Sequence, residues 1–153
     1  MQKKTSFSLQ EAQKKLEHYC AYQERCHWEV EQKLKQMGMI PSVQELIITK
    51  LIEENYLNES RFAQSFARGK FRIKKWGKQR IVRELKARKI SDYNIKLALK
   101  EISDADYQST FFSLFEKRKG AVSHYSKTIQ KKKILDFMVY RGWETHLIYT
   151  ALN

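Results

Sequence analysis

Apolar residues recur along this chain at alternating spacings of three and four, the period of an α-helix with one buried face. The clearest early example is the stripe of Val30, Leu34 and Met37. Gly38 follows this stripe and predicts the end of the helix, because glycine adopts the left-handed conformation of a helix terminus without strain. A preceding helix is predicted over about residues 10–23, after a polar and uncapped start.

A capping signal predicts the start of the third helix. Ser42 is a favourable N-cap, and Glu45 stands three positions later, as in a capping box. The apolar residues that follow predict which side chains this helix buries, namely Val43, Ile47 and Leu51 with Leu46 alongside.

The same order of stripes and breaks returns in the middle of the chain. Its first stripe consists of Phe62, Phe66, Gly69 and Ile73. We expect Gly69 to let a neighbouring helix approach closely, because glycine has no side chain. A break at Gly77 precedes a helix that buries Ile81 and Leu85, and Ser91 can cap the next helix, with Ile95, Leu99 and Ile102 on its apolar face.

A third round begins near Asp106. Its first helix carries Phe111, Phe112 and Phe115, and a basic connection containing Gly120 is predicted over residues 117–120. The pattern resumes with Ile134 and Met138, breaks at Gly142, and ends with Leu147, Ile148, Ala151 and Leu152.

Superposing the rounds indicates an internal repeat of roughly fifty residues. Val30, Ile81 and Ile134 correspond, as do Leu34, Leu85 and Met138, and then Met39, Ile90 and Trp143. One Pro and five Gly are too few turn residues for a many-stranded β protein. We therefore predict an all-α fold of three tandem three-helix repeats in an elongated, curved array. The predicted units are a flexible N-terminal segment (1–9) and three repeats (10–57, 58–103 and 104–153).

Charge is concentrated in one part of the chain. The formal net charge is +13, and residues 58–89 contain twelve basic residues but only two acidic ones. A field of this kind attracts polyanions, so nucleic acid or an acidic protein surface is the expected partner class. The alternative is a solvated helix surface that only keeps the protein soluble.

Arginines in this basic segment recur along one helical face. Arg61, Arg68 and Arg72 share that face, and forked guanidinium groups suit phosphate because they can bind two oxygens at once. Trp76 can either stack on a base or pack at a helix junction. The predicted contact residues for nucleic acid or a protein filament are Arg61, Arg68, Lys70, Arg72, Lys74, Lys75, Trp76, Lys78, Arg80 and Arg83.

The residue pattern does not indicate catalysis. Glu59 and Glu84 are the only acids in the basic segment, too far apart for a metal-binding carboxylate cluster, and no phosphate-binding glycine loop occurs. Cys20 and Cys26, the two cysteines, lie near His18 and His27 in no common zinc spacing. We therefore expect no catalytic residue, no metal site and no cofactor, and a protein that is not an enzyme; a nuclease is the weakest alternative.

The chain also lacks an apolar run long enough for a transmembrane helix and a recognisable signal peptide. We therefore expect a cytoplasmic protein with no membrane partner.

One run of residues resembles a known family. Residues 56–63, Tyr-Leu-Asn-Glu-Ser-Arg-Phe-Ala, are similar to the signature of RecX regulators, and residues 81–90 are similar to the family's following helix, with Lys89 where Gly is usual. Arg25-Cys26-His27-Trp28-Glu29-Val30 resembles the entry to the second helix of the first repeat, with Cys26 in place of a capping Ser. The resemblance extends over residues 11–152.

This resemblance implies a negative modulator of the RecA recombinase. Such a protein lies in the groove of the RecA–ssDNA filament and restrains filament extension, ATP hydrolysis, strand exchange and co-protease activity. The implied partners are the RecA filament and single- and double-stranded DNA, contacted through a basic face by a monomer. A stand-alone nucleic-acid-binding module is the alternative, because three-helix units resemble helix-turn-helix domains.

Overall fold

The computed structural model describes residues 7–153, and every regular element in that range is an α-helix. Repeat 1 contains α1 (Leu9–Tyr22), α2 (His27–Gln36) and α3 (Pro41–Glu53). Repeat 2 contains α4 (Glu59–Lys74), α5 (Lys78–Ala87) and α6 (Asp92–Leu99). Repeat 3 contains α7 (Asp104–Ala121), α8 (Lys127–Tyr140) and α9 (Thr145–Leu152).

Helix packing follows this division into threes. The extensive helix–helix contacts all join helices of the same repeat, and α4 against α6 is the most extensive of them. The corresponding residues Val30, Ile81 and Ile134 are each at most 2% exposed, and Leu34, Leu85 and Met138 are 0% exposed. The predicted all-α fold of three tandem three-helix repeats is therefore confirmed.

The middle helix of every repeat ends in the same way. Gly38, Lys89 and Gly142 each adopt left-handed backbone, with φ of 76°, 60° and 90°. The next residue then donates its N–H to a carbonyl oxygen five positions back, at 3.0 to 3.1 Å in each case: Met39 to Leu34, Ile90 to Leu85, Trp143 to Met138. This is the bonding of a Schellman cap. Lys89 therefore occupies a glycine position, at a cost of about 1 kcal/mol.

The three repeats do not contribute equally to the core. Most of repeat 1 encloses an apolar core of its own, whereas repeats 2 and 3 share a continuous core that also takes in Cys26 and Trp28 from repeat 1. The accessible surface of 10183 Å² exceeds the roughly 8,200 Å² of a compact globular protein of this mass, which agrees with an elongated array.

The helices of repeat 1 begin differently from the prediction. Residues 1–6 of the predicted flexible segment lie outside the described residues, but Ser8 caps α1 in a capping box with Glu11, so the predicted uncapped start is wrong. The predicted N-cap Ser42 is also wrong, because Ile40 is the N-cap of α3 and Pro41 occupies the first helical position. Proline is favourable there, since that position lacks an intrahelical partner for its N–H.

The buried face of α3 is narrower than predicted. Ile47 and Leu51 are buried, Val43 is half-buried, and Leu46 is 60% exposed. Gln44 is buried instead of Leu46, and it donates its Nε2–H to the carbonyl oxygen of Met39.

The predicted stripe of α4 is only partly correct. Phe62 is buried, but Ile73 is 78% exposed, and no neighbouring atom lies within 4 Å of a side chain placed on Gly69. The remaining buried residues of the helix are Ala63, Ala67 and Phe71. Ala63 and Ala67 are 0% exposed, as is Ala98 of α6, so small buried residues on the two helices take the place that was predicted for Gly69.

The first helix of repeat 3 is longer than predicted. Residues 117–120, predicted to be a connection, form the last full turn of α7, and Ser126 caps α8 instead. Phe111 and Phe115 are buried as predicted, whereas Phe112 is exposed.

Candidate nucleic-acid interface

The basic turn between α4 and α5 lies directly against repeat 3. Gly77, the N-cap of α5, donates its N–H to the carbonyl oxygen of Arg141 at 2.8 Å, and Gln79 donates to the carbonyl oxygen of Gly142 at 3.0 Å. A Cβ on Gly77 would overlap the backbone of Gly142 and Trp143. Two glycines thus allow two helix-connecting turns to touch backbone to backbone.

Side chains hold the same contact from the inside. Trp143 is 0% exposed and donates its Nε1–H to the carbonyl oxygen of Lys75 at 3.1 Å. Its ring stacks on Tyr107, whose hydroxyl accepts the N–H of Lys78 at 2.8 Å and donates to the Glu144 carboxylate. Burial, followed by the bond to Glu144, raises the pKa of Tyr107. Repeat 3 therefore fixes the position of the basic turn.

Two of the ten predicted contact residues are held by carboxylates of the same chain. Arg61 pairs with Glu24 and also donates to the Asn55 side chain and backbone, so it joins repeats 1 and 2. Arg68 pairs with Glu101 at the end of α6. The Arg61 donors are largely occupied within the fold, and the ion pair of each arginine competes with phosphate for its guanidinium.

Trp76 packs inside a group of cations. The ring is half-buried, lies edge-on to Phe66, and has the Lys70 ammonium 5.0 Å and the Arg80 guanidinium carbon 4.2 Å from its centroid. These contacts favour the packing interpretation of Trp76, and they place Lys70 and Arg80 around one ring.

The remaining predicted residues pair with no carboxylate among residues 7–153. Lys78 is half-buried and lies over the Tyr107 ring, 4.5 Å from its centroid. The others are exposed: Arg72, Lys74, Lys75 and Arg83. Five unpaired cations thus lie, with Lys70 and Arg80, on α4, α5 and the turn between them.

Repeat 3 adds residues that sequence reasoning missed. Tyr140, at the end of α8, lies 4.8 Å from the Arg80 guanidinium carbon, and Arg141 and Arg118 both lie over the ring of Phe137. The sequence does show the basic run that contains Arg118, but its pattern predicts a connection between helices there. No sequence signal placed it near Arg80.

The described residues contain no group of three or more His, Cys, Asp or Glu that could hold a metal ion. Burial raises the pKa of the Cys20 thiol to about 11 and that of Cys26 to about 12, so neither is a ready thiolate nucleophile. Within residues 7–153, no helix is both long and apolar enough to cross a bilayer.

Comparisons with known proteins point in one direction. The family model described as "RecX, second three-helix domain" matches residues 58–99. A regulatory protein RecX of Bacillus cytotoxicus is 25% identical over 135 residues, which is 88% of this chain and 50% of that protein. The chain thus spans about half the length of this relative.

Solved structures show the same fold. The crystal structure of RecX from Lactobacillus salivarius matches with a TM-score of 0.79 and 26% identity, over 93% of this chain and 92% of that chain. A second crystal structure of a regulatory protein RecX has a TM-score of 0.83 at 19% identity, over 94% of this chain and 72% of that chain, and bears on the fold alone.

Proposed function

We propose that this chain, which is similar to RecX regulatory proteins along most of its length, regulates the RecA recombinase by binding the RecA–ssDNA filament. In this proposal it acts in the cytoplasm as a monomer that lies in the filament groove and restrains filament extension, ATP hydrolysis, strand exchange and co-protease activity. It acts by binding, and it is not an enzyme.

The unpaired basic surface of repeat 2 is the observation that carries this proposal. No acidic residue lies between Glu59 and Glu84, and the cations from Lys70 to Arg83 form no ion pair among the described residues. Arginines and lysines that are free of internal carboxylates retain their full attraction for the phosphates of a nucleic acid. We refer to the exposed part of this set, Arg72, Lys74, Lys75 and Arg83, as the repeat 2 basic face.

The arrangement of the repeats supports a groove-binding mode. Repeats 2 and 3 share one core, so they present the repeat 2 basic face from a rigid body. Repeat 1 has its own core and joins repeat 2 through the buried Cys26 and through polar contacts such as Arg61 with Glu24. An extended array with one charged middle unit can contact both the DNA of a filament and the neighbouring protein subunits.

RecA ATP hydrolysis on single-stranded DNA tests this function directly. We expect hydrolysis to fall as the chain is titrated in, and the effect to shift to much higher concentration for a variant with Arg72→Glu, Lys74→Glu and Arg83→Glu. The matched control reverses three exposed lysines of repeat 1 (Lys14→Glu, Lys35→Glu and Lys50→Glu), which removes the same net charge. Equal loss in both variants would mean that only total charge matters, and no inhibition by the unaltered chain would refute the proposal.

A further inference from the structure

Three arginines from different helices meet beside the end of α8. Arg80 comes from α5, Arg118 from α7, and Arg141 is the C-cap of α8. The backbone brings them together, because Gly142 lies so close to Arg80 that a Cβ on this glycine would overlap the Arg80 backbone and Cβ. We call these three residues the junction arginines, since they lie where repeats 2 and 3 touch.

Each junction arginine makes a cation–π contact with at least one aromatic ring. The Arg141 and Arg118 guanidinium carbons lie 3.7 Å and 4.6 Å from the centroid of the Phe137 ring, so both sit on one side chain. Arg80 lies between Trp76 and Tyr140, 4.2 Å and 4.8 Å from their centroids. A cation–π contact uses the charge of a guanidinium and does not use up its N–H donors.

Those donors are largely unused within the protein. Arg118 and Arg141 donate no side-chain hydrogen bond to another described residue, and Arg80 makes one long bond of 3.3 Å from Nη1 to the carbonyl oxygen of Tyr140. The Nε–H groups of Arg80 and Arg118 are buried without a partner among the described residues. In contrast, Arg61, Arg68 and Arg88 each hold a carboxylate. The fold thus separates its arginines into paired residues and a free group.

The free group is electrostatically unfavourable when no ligand is present. Burial, and then the charges of Arg118 and Arg80, lower the pKa of Arg141. None of the three junction arginines is within ion-pair distance of a carboxylate in residues 7–153. Like charges held together in this way are relieved by a bound anion.

We propose that the junction arginines bind a backbone phosphate of a nucleic-acid strand. Guanidinium edges match phosphate oxygens in pairs, and the ring of Tyr140, which is 68% exposed, stands next to them as a surface for a base or sugar. An aromatic side chain beside phosphate-binding arginines is the arrangement that single strands use, and it favours nucleic acid over an acidic protein surface. This inference rests on the proposed function because it names the part of the filament, its DNA strand, that this site contacts.

Binding of a fluorescently labelled single-stranded oligonucleotide to the full chain, measured by anisotropy over a range of salt concentrations, tests the site. We expect Arg141→Gln to weaken binding about tenfold, the size of one charge-assisted hydrogen-bonded contact. The slope of log affinity against log salt should become shallower by about 0.7, the value for one lost single-strand phosphate contact. Arg118→Gln should behave in the same way.

Arg25→Gln is the matched control. Arg25 also lies over an aromatic ring, that of Tyr19 at 3.8 Å, but it belongs to repeat 1 and is not one of the junction arginines. It loses the same charge and should change affinity less than twofold. Arg141→Lys separates charge from geometry: it should restore the salt slope but not the full affinity, because lysine lacks the forked donors.

Several outcomes would overturn the inference. Arg141→Gln and Arg25→Gln could weaken binding equally, or an oligonucleotide with uncharged methylphosphonate linkages could show the same difference between them. Competition by polyglutamate as effective as that by DNA of equal charge would assign the site to an acidic protein surface instead. If the arginine variants show no specific effect while the unaltered chain still slows RecA ATP hydrolysis, this inference fails alone. If they show the effect but the chain never acts on RecA, the proposed function fails alone.

Discussion

The backbone contact between Gly77 and Gly142 is the most sensitive point in the shared core of repeats 2 and 3. Gly77 has φ of −77° and ψ of 168°, a conformation that alanine adopts without strain. Any effect of Gly77→Ala must therefore come mainly from its added Cβ, which would overlap the carbonyl group of Gly142 and the amide nitrogen of Trp143. Backbone atoms cannot rotate away, so the two turns must separate.

The hydrogen bonds across this contact set the size of the loss. Three join residues 75–79 to residues 141–143: Gly77 N–H to Arg141 at 2.8 Å, Gln79 N–H to Gly142 at 3.0 Å, and Trp143 Nε1–H to Lys75 at 3.1 Å. At about 1 kcal/mol each, their loss lowers the free energy of unfolding by about 3 kcal/mol. The weaker N-cap preference of alanine adds less than about 1 kcal/mol. The corresponding fall in melting temperature is about 6–12 °C.

Urea denaturation followed by far-UV circular dichroism measures this loss, with Gly69→Ala as the control. Gly69 lies inside α4 with open space around it, so the same substitution there should stabilise the protein by about 0.5–1 kcal/mol. The two alanines should thus move stability in opposite directions. A Gly77→Ala protein that loses less than about 1 kcal/mol would show that repeats 2 and 3 are not held together at this contact.

Three further predictions follow from the same structure. Lys89→Gly should raise the free energy of unfolding by about 1 kcal/mol in a denaturation experiment, because it removes a left-handed lysine; a loss of stability would contradict the assignment of a glycine cap. Tyr107→Phe should cost about 1–3 kcal/mol by the same measurement, because it leaves the Lys78 N–H and the Glu144 carboxylate without their partner; unchanged stability would show that the hydroxyl is not needed. Burial raises the pKa of Cys20 to about 11 and that of Cys26 to about 12, from an ordinary value of 9.0, so the folded chain holds these protons more tightly than the unfolded chain does. Their contribution to stability is complete below pH 9 and is lost as the pH rises through 11 and 12. A Cys20→Ala, Cys26→Ala protein should therefore lose stability less steeply between pH 9 and pH 12 than the unaltered chain. An unchanged slope of stability against pH would contradict the burial argument.

The repeat architecture could be predicted because it depends on the local periodicity of apolar residues. Residues that take part in the same turn of each repeat, such as Ile81 and Leu85, recur at nearly constant offsets and are buried in every copy. The turn after them could also be predicted, since Gly38 and Gly142 mark it in two repeats and Lys89 occupies the same place in the third. These features depend on neighbours within a few residues.

The buried face of α4 could not be predicted in this way. Large side chains suggested that Ile73 faces the core, but the buried residues of α4 are Phe62, Ala63, Ala67 and Phe71. Two of these four are alanines, on the helix that makes the most extensive contact with α6, and Ile73 is left exposed. Helix spacing is a tertiary property, and it outweighs side-chain hydrophobicity at such positions.

The sequence indicated which segment of the chain contains the candidate site, but not which residues belong to it. Charge density alone identified residues 58–89, and within them the cations from Lys70 to Arg83 form no ion pair among the described residues. The pairing of Arg61 with Glu24 depends on how repeat 1 meets repeat 2, and the meeting of Arg80 with Arg141 depends on how repeat 2 meets repeat 3. Neither contact has a local sequence signal.

The most direct test of the account is the affinity of the unaltered chain for a preassembled RecA–ssDNA filament, compared with its affinity for the same DNA without RecA at the same salt concentration. We predict clearly tighter binding to the filament, because subunit contacts add to those of the repeat 2 basic face. Equal affinity for the two would contradict the account and would indicate a protein that recognises nucleic acid alone.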